Sequence, residues 1–276
     1  MNRYQFGNWI NTIDKYNKMY KNNKPYEHCT IDNFLDDASF DYLKNKWPES
    51  HSILWDKYEN PIEMKWTYNN LKSLPDFQDL ITFFQSDIAL SYLKTISGID
   101  NLENDYYLHG AGLHYHPTNT KLDIHLDYSI HPITKKERRL NLVYFLNENW
   151  NEEWNGALEL WSKSDNYDLP GHCEQKIYPK ANRAIIFKTN DISIHGIPEI
   201  IRCPESVGRK TVAIYYMSEP HDNIINRKKA IFFPRPGQPV SDNLLQLYSI
   251  RKERRIESDD LYTNWRTDPI GKGYWY

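Results

Sequence analysis

LDIHLDYS, at residues 122–129, is the stretch that best predicts the fold of this chain. Apolar and polar residues alternate along it, which is the pattern of a β-strand with one buried face. Side chains two residues apart in a strand point to the same face, so His125 and Asp127 are expected to lie side by side. A second stretch of similar character, ISIHGIPE at 192–199, contains His195.

His125, Asp127 and His195 together predict a metal site. Two imidazoles and one carboxylate on one side of a metal form the facial triad of non-heme Fe(II) oxygenases, which leaves the opposite coordination positions open. A His-x-Asp pair alone recurs by chance, but its place in an alternating strand favours the triad. The rival histidines are His114, His116 and His131. His114 and His116 share the same-face spacing but have no carboxylate in register, which favours a position along the sheet or in the core.

Short β-type segments follow one another from about residue 106 to residue 220. They are LHGAGLHYH, LDIHLDYS, RLNLVYFLN, ALELWS, EQKIYP, RAIIFKT, SIHGIPEI and RKTVAIYYMS. Segments of this length at regular spacing predict a β-sandwich or barrel rather than a parallel α/β sheet. A jelly roll of this kind can hold a small-ligand cavity between its two sheets.

Helical patterns flank the β-rich region. Amphipathic periodicity predicts a helix over 5–25 and one or two helices over 76–97, and Asp36 or Asp37 caps another that Pro48 ends. A further helix with a basic end is predicted in SDNLLQLYSIRKERRIESDDL, at 241–261. We expect one structural domain in three parts: an N-terminal helical and strand segment at 1–100, a β core at 101–220 and a C-terminal extension at 221–276.

The bulk properties of the 276-residue chain argue against several classes of protein. A net charge of −3 gives no general electrostatic attraction to nucleic acid or to an anionic membrane. Three widely spaced cysteines, Cys29, Cys173 and Cys203, form no CxxC pair and fit a reducing compartment. The sequence shows no signal peptide and no apolar run long enough to span a membrane. It therefore predicts a cytoplasmic protein, and it gives no prediction of oligomeric state.

Arg209 opens the predicted strand RKTVAIYYMS, in which Arg209, Thr211, Ala213 and Tyr215 share one face. An arginine that points into a cavity is costly unless an anion meets it, and its planar fork matches a carboxylate. An arginine at a strand end can equally lie in solvent. Because a metal triad is predicted nearby, we favour Arg209 as the anchor of a carboxylate.

The run from about 106 to 220 resembles the 2-oxoglutarate/Fe(II)-dependent dioxygenases, specifically the prolyl-4-hydroxylase-like branch. The matching stretches are LHYHPTNTKLDIHLDY, RRLNLVYFLNENWNEEWNGALELW, ISIHGIPEI and GRKTVAIYY. The resemblance implies a mainly β protein with flanking helices around a double-stranded β-helix, the jelly-roll or cupin-like core. It also implies Fe(II), 2-oxoglutarate and O2 as cofactors, with ascorbate as an optional reductant.

Carried over residue by residue, the resemblance makes His125, Asp127 and His195 the catalytic iron ligands. It makes Arg209 the residue that binds the far carboxylate of 2-oxoglutarate. Tyr115, ten residues before His125, matches a tyrosine that lines the co-substrate pocket.

Two positions depart from the family pattern. A Gly-Gly turn is replaced by Asn155-Gly156, a mild change because asparagine tolerates left-handed backbone. The position of a 2-oxoglutarate-binding tyrosine is taken by Phe145, so the resemblance implies that Asn141 or Thr211 supplies the polar contact instead.

The resemblance implies hydroxylation of a C–H bond, with succinate and CO2 as co-products. We expect a small-molecule or saccharide-linked substrate, because no peptide-binding module is recognisable. The alternatives are a protein prolyl hydroxylase of the same family, a catalytically silent jelly-roll binding module, or a zinc hydrolase. A basic cluster either binds an anionic substrate, such as a phosphorylated or nucleotide-linked sugar, or forms a solvated helix end. Its members are Arg251, Lys252, Arg254 and Arg255.

Overall fold

The computed structural model describes residues 3–165 and 169–268, so the aromatic segment GKGYWY at the end of the predicted extension lies outside the described residues. The helices are α1 (Ile13–Asn22), α2 (Asp37–Leu43), α3 (Pro75–Phe84), α4 (Asp87–Ser97) and α5 (Asp242–Glu253). The strands are β1 (His28–Asp32), β2 (Asp56–Asn60), β3 (Glu63–Tyr68), β4 (Glu103–Asn104), β5 (Gly112–His116), β6 (Leu122–Leu126), β7 (Glu137–Phe145), β8 (Leu158–Lys163), β9 (Pro170–Ile177), β10 (Arg183–Lys188), β11 (Ile194–Ile197), β12 (Arg209–Ser218) and β13 (Ile231–Phe232).

The strands form a curled antiparallel sheet in the order β1-β10-β7-β12-β5-β3-β6-β11-β8-β9. β1, β10, β7, β12 and β5 make one layer, and β6, β11, β8 and β9 make the other. β3 joins the layers, because it pairs with β5 and, at Glu63, with β6. Each of the eight predicted β segments overlaps one of these strands. The predicted fold class, a mainly β double-stranded β-helix with flanking helices, is confirmed.

The N-terminal helices cover one face of the first layer. Aromatic side chains make much of this contact: the ring of Phe34 lies 6.0 Å from Tyr144 of β7 and 5.6 Å from Phe84 of α3. Asp36 caps α2, as predicted, by accepting a hydrogen bond from the Ser39 amide. The helix predicted over 5–25 begins later, because residues 8–12 form a 3-10 turn before α1.

The C-terminal extension packs against the second layer, close to the predicted metal site. β13 pairs with β6, and Phe232 stands directly opposite His125 in the register. α5 buries Leu244, Leu247 and Tyr248 in a core that also contains side chains of the second layer. Among the described helices, none is both long and apolar enough to cross a membrane.

Candidate metal and co-substrate site

The three predicted ligands meet in the structure. β6 carries His125, Asp127 follows one residue after the end of β6, and β11 carries His195, which pairs with His125 across the strands. One donor atom from each residue lies within 4.8 Å of the others, and all three side chains are buried. Asp127 Oδ1 is 3.8 Å from His125 Nε2, and Asp127 Oδ2 is 3.5 Å from His195 Nε2.

Both imidazoles are oriented for metal binding by the backbone. Nδ1 of His125 lies 2.9 Å from the Asp123 carbonyl oxygen, and Nδ1 of His195 lies 2.9 Å from that of Ser193. A carbonyl oxygen only accepts, so each Nδ1 is protonated and each Nε2 keeps its lone pair toward the cluster. Burial, with the neighbouring His195, lowers the pKa of His125 to about 3. Burial also lowers the pKa of His195. Both rings are therefore neutral at pH 7, the form that binds a metal.

Asp127 is held in its ionised form by two side chains that contact the same carboxylate oxygen. Oδ2 accepts hydrogen bonds from Asn141 Nδ2 and pairs with Arg138 Nη2, both at 2.9 Å. Burial alone would raise the pKa of Asp127, but the charge of Arg138 and the two histidines outweigh it and hold that pKa below its ordinary value. Asn141 therefore contacts a triad residue directly, and its predicted contact with 2-oxoglutarate stays a prediction.

Arg138 is a site residue that the sequence pattern does not reveal. In a regular β7 the residues that share a face with Asn141 are odd-numbered, so Arg139 would point to the cavity. The β7–β12 register shifts between Tyr216 and Met217, and Met217 pairs with Arg138. This β-bulge turns Arg138 inward, where its guanidinium stacks on Tyr215 at 3.3 Å. Bulges leave no reliable signal in a single sequence.

Arg209 points into a cavity of about 70 Å³ beside the triad. It is buried, and its Nε donates to the Gly156 carbonyl oxygen at 2.9 Å. No acidic side chain in the described part of the chain forms an ion pair with it. Burial alone lowers its pKa to about 9. A buried cation without a counter-charge is costly, so this position requires an anion from outside the chain.

Thr211 and Asn141 line the same cavity as Arg209. Phe145 lies under the Arg209 guanidinium, with 5.0 Å between the arginine Cζ and the ring centroid. The predicted turn at Asn155-Gly156 has positive φ at both residues, 61° and 79°, and presents the carbonyl that holds Arg209.

The prediction for Tyr115 is wrong. Tyr115 does not line the cavity; its ring packs 5.7 Å from Trp55 and 5.5 Å from Trp66 on the opposite face of β5. Its neighbours His114 and His116 face the cavity instead, because side chains alternate along a strand. His116 Nδ1 is buried and has no hydrogen-bond partner among the described residues, so the pocket offers an additional polar contact.

The chemistry of the donor set fits Fe(II) with 2-oxoglutarate. The imidazole and carboxylate donors match the facial triad, and a dicarboxylate supplies the anion that Arg209 lacks. The apolar side chains of Leu122, Val143, Phe187 and Ile197 fill the walls between them.

Comparison with known proteins agrees with this geometry. Residues 111–217 match the family model of the 2OG-Fe(II) oxygenase superfamily. The prolyl 3-hydroxylase sudestada1 of Drosophila melanogaster is 22% identical over 187 residues, which cover 64% of this chain and 32% of that protein. The present chain thus spans about a third of the length of this relative.

Two solved structures are also similar. One is a Trichoplax adhaerens prolyl hydroxylase in complex with a peptide fragment of the hypoxia inducible factor oxygen degradation domain. It has a TM-score of 0.50 and 16% identity, and the match covers 77% of this chain and 94% of that chain. The other is a Pseudomonas putida prolyl-4-hydroxylase, with a TM-score of 0.49, 13% identity and coverage of 75% and 100%. The first likeness supports the fold.

Residues 111–217 thus match the 2OG-Fe(II) oxygenase superfamily, and the chain has an intact His-Asp-His triad. The family and the triad together imply Fe(II) and 2-oxoglutarate as cofactors.

Proposed function

We propose that this chain is a Fe(II)- and 2-oxoglutarate-dependent hydroxylase. The observation that carries the proposal is that the His125–Asp127–His195 cluster and the unpaired cation Arg209 line one cavity. Fe(II), 2-oxoglutarate and O2 supply the oxidising chemistry when bound, and succinate and CO2 are the co-products.

The side chains of the cavity have separate roles in this proposal. His125, Asp127 and His195 hold the metal through Nε2, a carboxylate oxygen and Nε2. Arg209 binds the far carboxylate of 2-oxoglutarate, and Thr211 lies two residues along the same face of β12. Asn141 and Arg138 fix the Asp127 carboxylate and are positioning residues.

For the substrate, we propose a prolyl residue of a polypeptide. The names of the Drosophila and Trichoplax relatives support this choice, and neither name mentions a small-molecule or saccharide-linked substrate. A small-molecule substrate stays as the second candidate, because Arg251 of α5 and Arg255 just after it line the adjoining cavity and would suit a phosphorylated ligand.

The test of the hydroxylase proposal measures succinate formed from 2-oxoglutarate, with Fe(II), ascorbate and a pool of proline-containing peptides. Peptide products are searched for a mass gain of one oxygen atom. We expect turnover by the unchanged chain. The His125→Ala variant should show no turnover and should lose Mn(II) binding, which calorimetry measures. His28→Gln, at a buried histidine on β1 outside the site, is the matched control and should keep both.

Three outcomes would contradict the proposal in different ways. Absence of both metal-dependent 2-oxoglutarate binding and succinate would reject the enzyme. Metal binding without succinate formation in the presence of any substrate pool would favour a catalytically silent binding module. Activity that persists without O2 would favour a zinc hydrolase.

A further inference from the structure

A second cavity, of about 200 Å³, adjoins the triad and has strongly basic walls. It shares His125, Asp127, Arg138 and Tyr215 with the inner cavity, so it is where a substrate would approach the metal. Six cationic side chains line it: Lys65, Arg138, Lys228, Lys229, Arg251 and Arg255. The acidic side chains in its lining are Glu63 and Asp127. A chain with a net charge of −3 thus places a local excess of positive charge around its site.

The inner cations are only partly neutralised. Buried Glu63 is shared by Lys65, at 3.1 Å, and by Arg251, at 2.8 Å. One carboxylate therefore serves two cations. Arg138 is paired with Asp127, and the Asp127 carboxylate would also balance part of the charge of a bound metal.

The outer cations are available to a ligand. Lys228 and Lys229 lie exposed on the segment between β12 and β13, and neither forms an ion pair with a described residue. Arg255, just after α5, pairs with Asp56 at 2.8 Å, where both side chains are exposed to solvent. Exposed pairs of this kind exchange readily, since they contribute little to stability.

The size of this cavity favours a peptide over a nucleotide-linked small molecule as the substrate. A cavity of about 200 Å³ is smaller than the ~300–1,000 Å³ that encloses a drug-sized ligand. It suits one inserted side chain, with the rest of the ligand lying across the mouth. The cations come from four separate segments, β3, β7, the β12–β13 connection and the α5 region, which suits charges spread along an extended chain.

Building on the hydroxylase function proposed above, we propose that the substrate is an acidic peptide segment. The target residue enters the cavity beside the triad. Asp or Glu residues that flank it in the peptide contact Lys228 and Lys229 at the rim. Complementary charge of this kind selects the partner and speeds its encounter with the site.

The experiment measures binding and needs no turnover. Three labelled pools of proline-containing peptides, with flanks rich in Asp/Glu, Asn/Gln or Lys/Arg, are titrated against the full chain with Mn(II) and 2-oxoglutarate. We expect the acidic pool to bind about tenfold more tightly than the Asn/Gln pool at low salt, a preference that falls as salt rises.

Charge reversal tests the location of the preference. Lys228→Glu/Lys229→Glu should abolish it. Lys15→Glu/Lys21→Glu changes the net charge equally at two exposed positions of α1 and should preserve it. Thermal unfolding confirms that both double variants are folded.

Several outcomes would overturn the inference. These are equal affinity for the three pools, a preference that survives Lys228→Glu/Lys229→Glu, and no binding of any pool. Binding of UDP-glucose but of no peptide would instead favour a small phosphorylated ligand. Failure of the hydroxylase proposal is recognised separately, as loss of Mn(II)-dependent 2-oxoglutarate binding in the unchanged chain before any peptide is added.

Discussion

Arg209 has opposite expected effects on stability and on co-substrate binding. Its buried guanidinium has one hydrogen bond to Gly156 and no described counter-charge, so it destabilises the ligand-free fold. We predict that Arg209→Met leaves the free energy of unfolding unchanged or raises it. The same change should weaken 2-oxoglutarate binding by about 3 kcal/mol or more, because a buried charge-assisted contact is lost. Urea unfolding and calorimetry measure the two effects.

Lys210→Met provides the control for this prediction, because Lys210 is the next residue of β12 and does not line the cavity. It should leave 2-oxoglutarate binding unchanged. If Arg209→Met kept full affinity for 2-oxoglutarate, the proposed carboxylate anchor would be wrong.

His116 should make the ligand-free protein sensitive to acid. Burial, together with the charge of Arg209, lowers its pKa well below the ordinary value of about 6.5. Below about pH 6.5 the unfolded chain therefore binds a proton that the folded chain does not. The free energy of unfolding falls as the pH drops further. The expected loss is about 1.4 kcal/mol per pH unit. His116→Gln should reduce this slope in urea unfolding at pH 7.5 to 4.5, whereas His51→Gln, at an exposed histidine, should leave it unchanged.

At the level of single residues, spacing predicts a site well when the strand is regular. His125 and Asp127 follow the alternation of β6 and its continuation, and they meet His195 as predicted. A distance of ten residues from His125 does not place Tyr115 in the cavity, which is lined by its neighbours His114 and His116. Arg138 could not be found, because a bulge reverses the alternation at its position.

The turn before β8 is an element on which co-substrate binding depends. Gly156 has φ of 79°, and a Cβ there would lie 2.8 Å from Trp150 Cζ2 and 3.6 Å from Arg209 Cδ. Gly156→Ala must shift the turn and with it the carbonyl that holds Arg209 Nε. We predict about tenfold weaker 2-oxoglutarate binding, the cost of one charge-assisted hydrogen bond.

Gly237→Ala separates this effect from backbone strain. Gly237 has a similar φ of 75°, and a Cβ there would meet no described atom within 4 Å. It should lower stability by about 1 kcal/mol and leave 2-oxoglutarate binding unchanged. Equal binding losses in the two variants would contradict a specific role for the 155–156 turn.

The elements that sequence patterns predict are those with strong local periodicity. LDIHLDYS is the clearest case among the eight β segments of the core, whereas RAIIFKT is recognised as a short apolar run. The sequence patterns do not predict the β2–β3 hairpin. β2 (DKYEN) is polar, and although IEMKWTY at 62–68 alternates between apolar and polar residues, its polar residues Glu63 and Lys65 line the site instead of facing solvent. Strand β3 is stabilised by pairing with β5 and β6, which are distant in sequence. The same pairing brings Lys65 into the site.

At the scale of the whole molecule, the predicted three-part division of the chain does not correspond to separate cores. One core cluster combines Phe34 and Phe84 of the N-terminal segment with Tyr144 of β7. Another combines Leu247 of α5 with Phe145 of β7. Such shared cores favour a single cooperative unit, which holds the rim cations after β12 and just after α5 in a fixed position relative to the triad.

Cooperative unfolding tests this unity through α5. Leu247 is 1% exposed and belongs to the core shared with the β layers, whereas Leu245 on the same helix is 48% exposed. We predict that Leu247→Ala lowers the free energy of unfolding of the whole chain by about 2–5 kcal/mol in one transition. Leu245→Ala should change it by less than about 0.5 kcal/mol. If Leu247→Ala produced a separate early transition with the main one unmoved, residues 221–268 would be an independently unfolding extension, and metal binding would survive their loss.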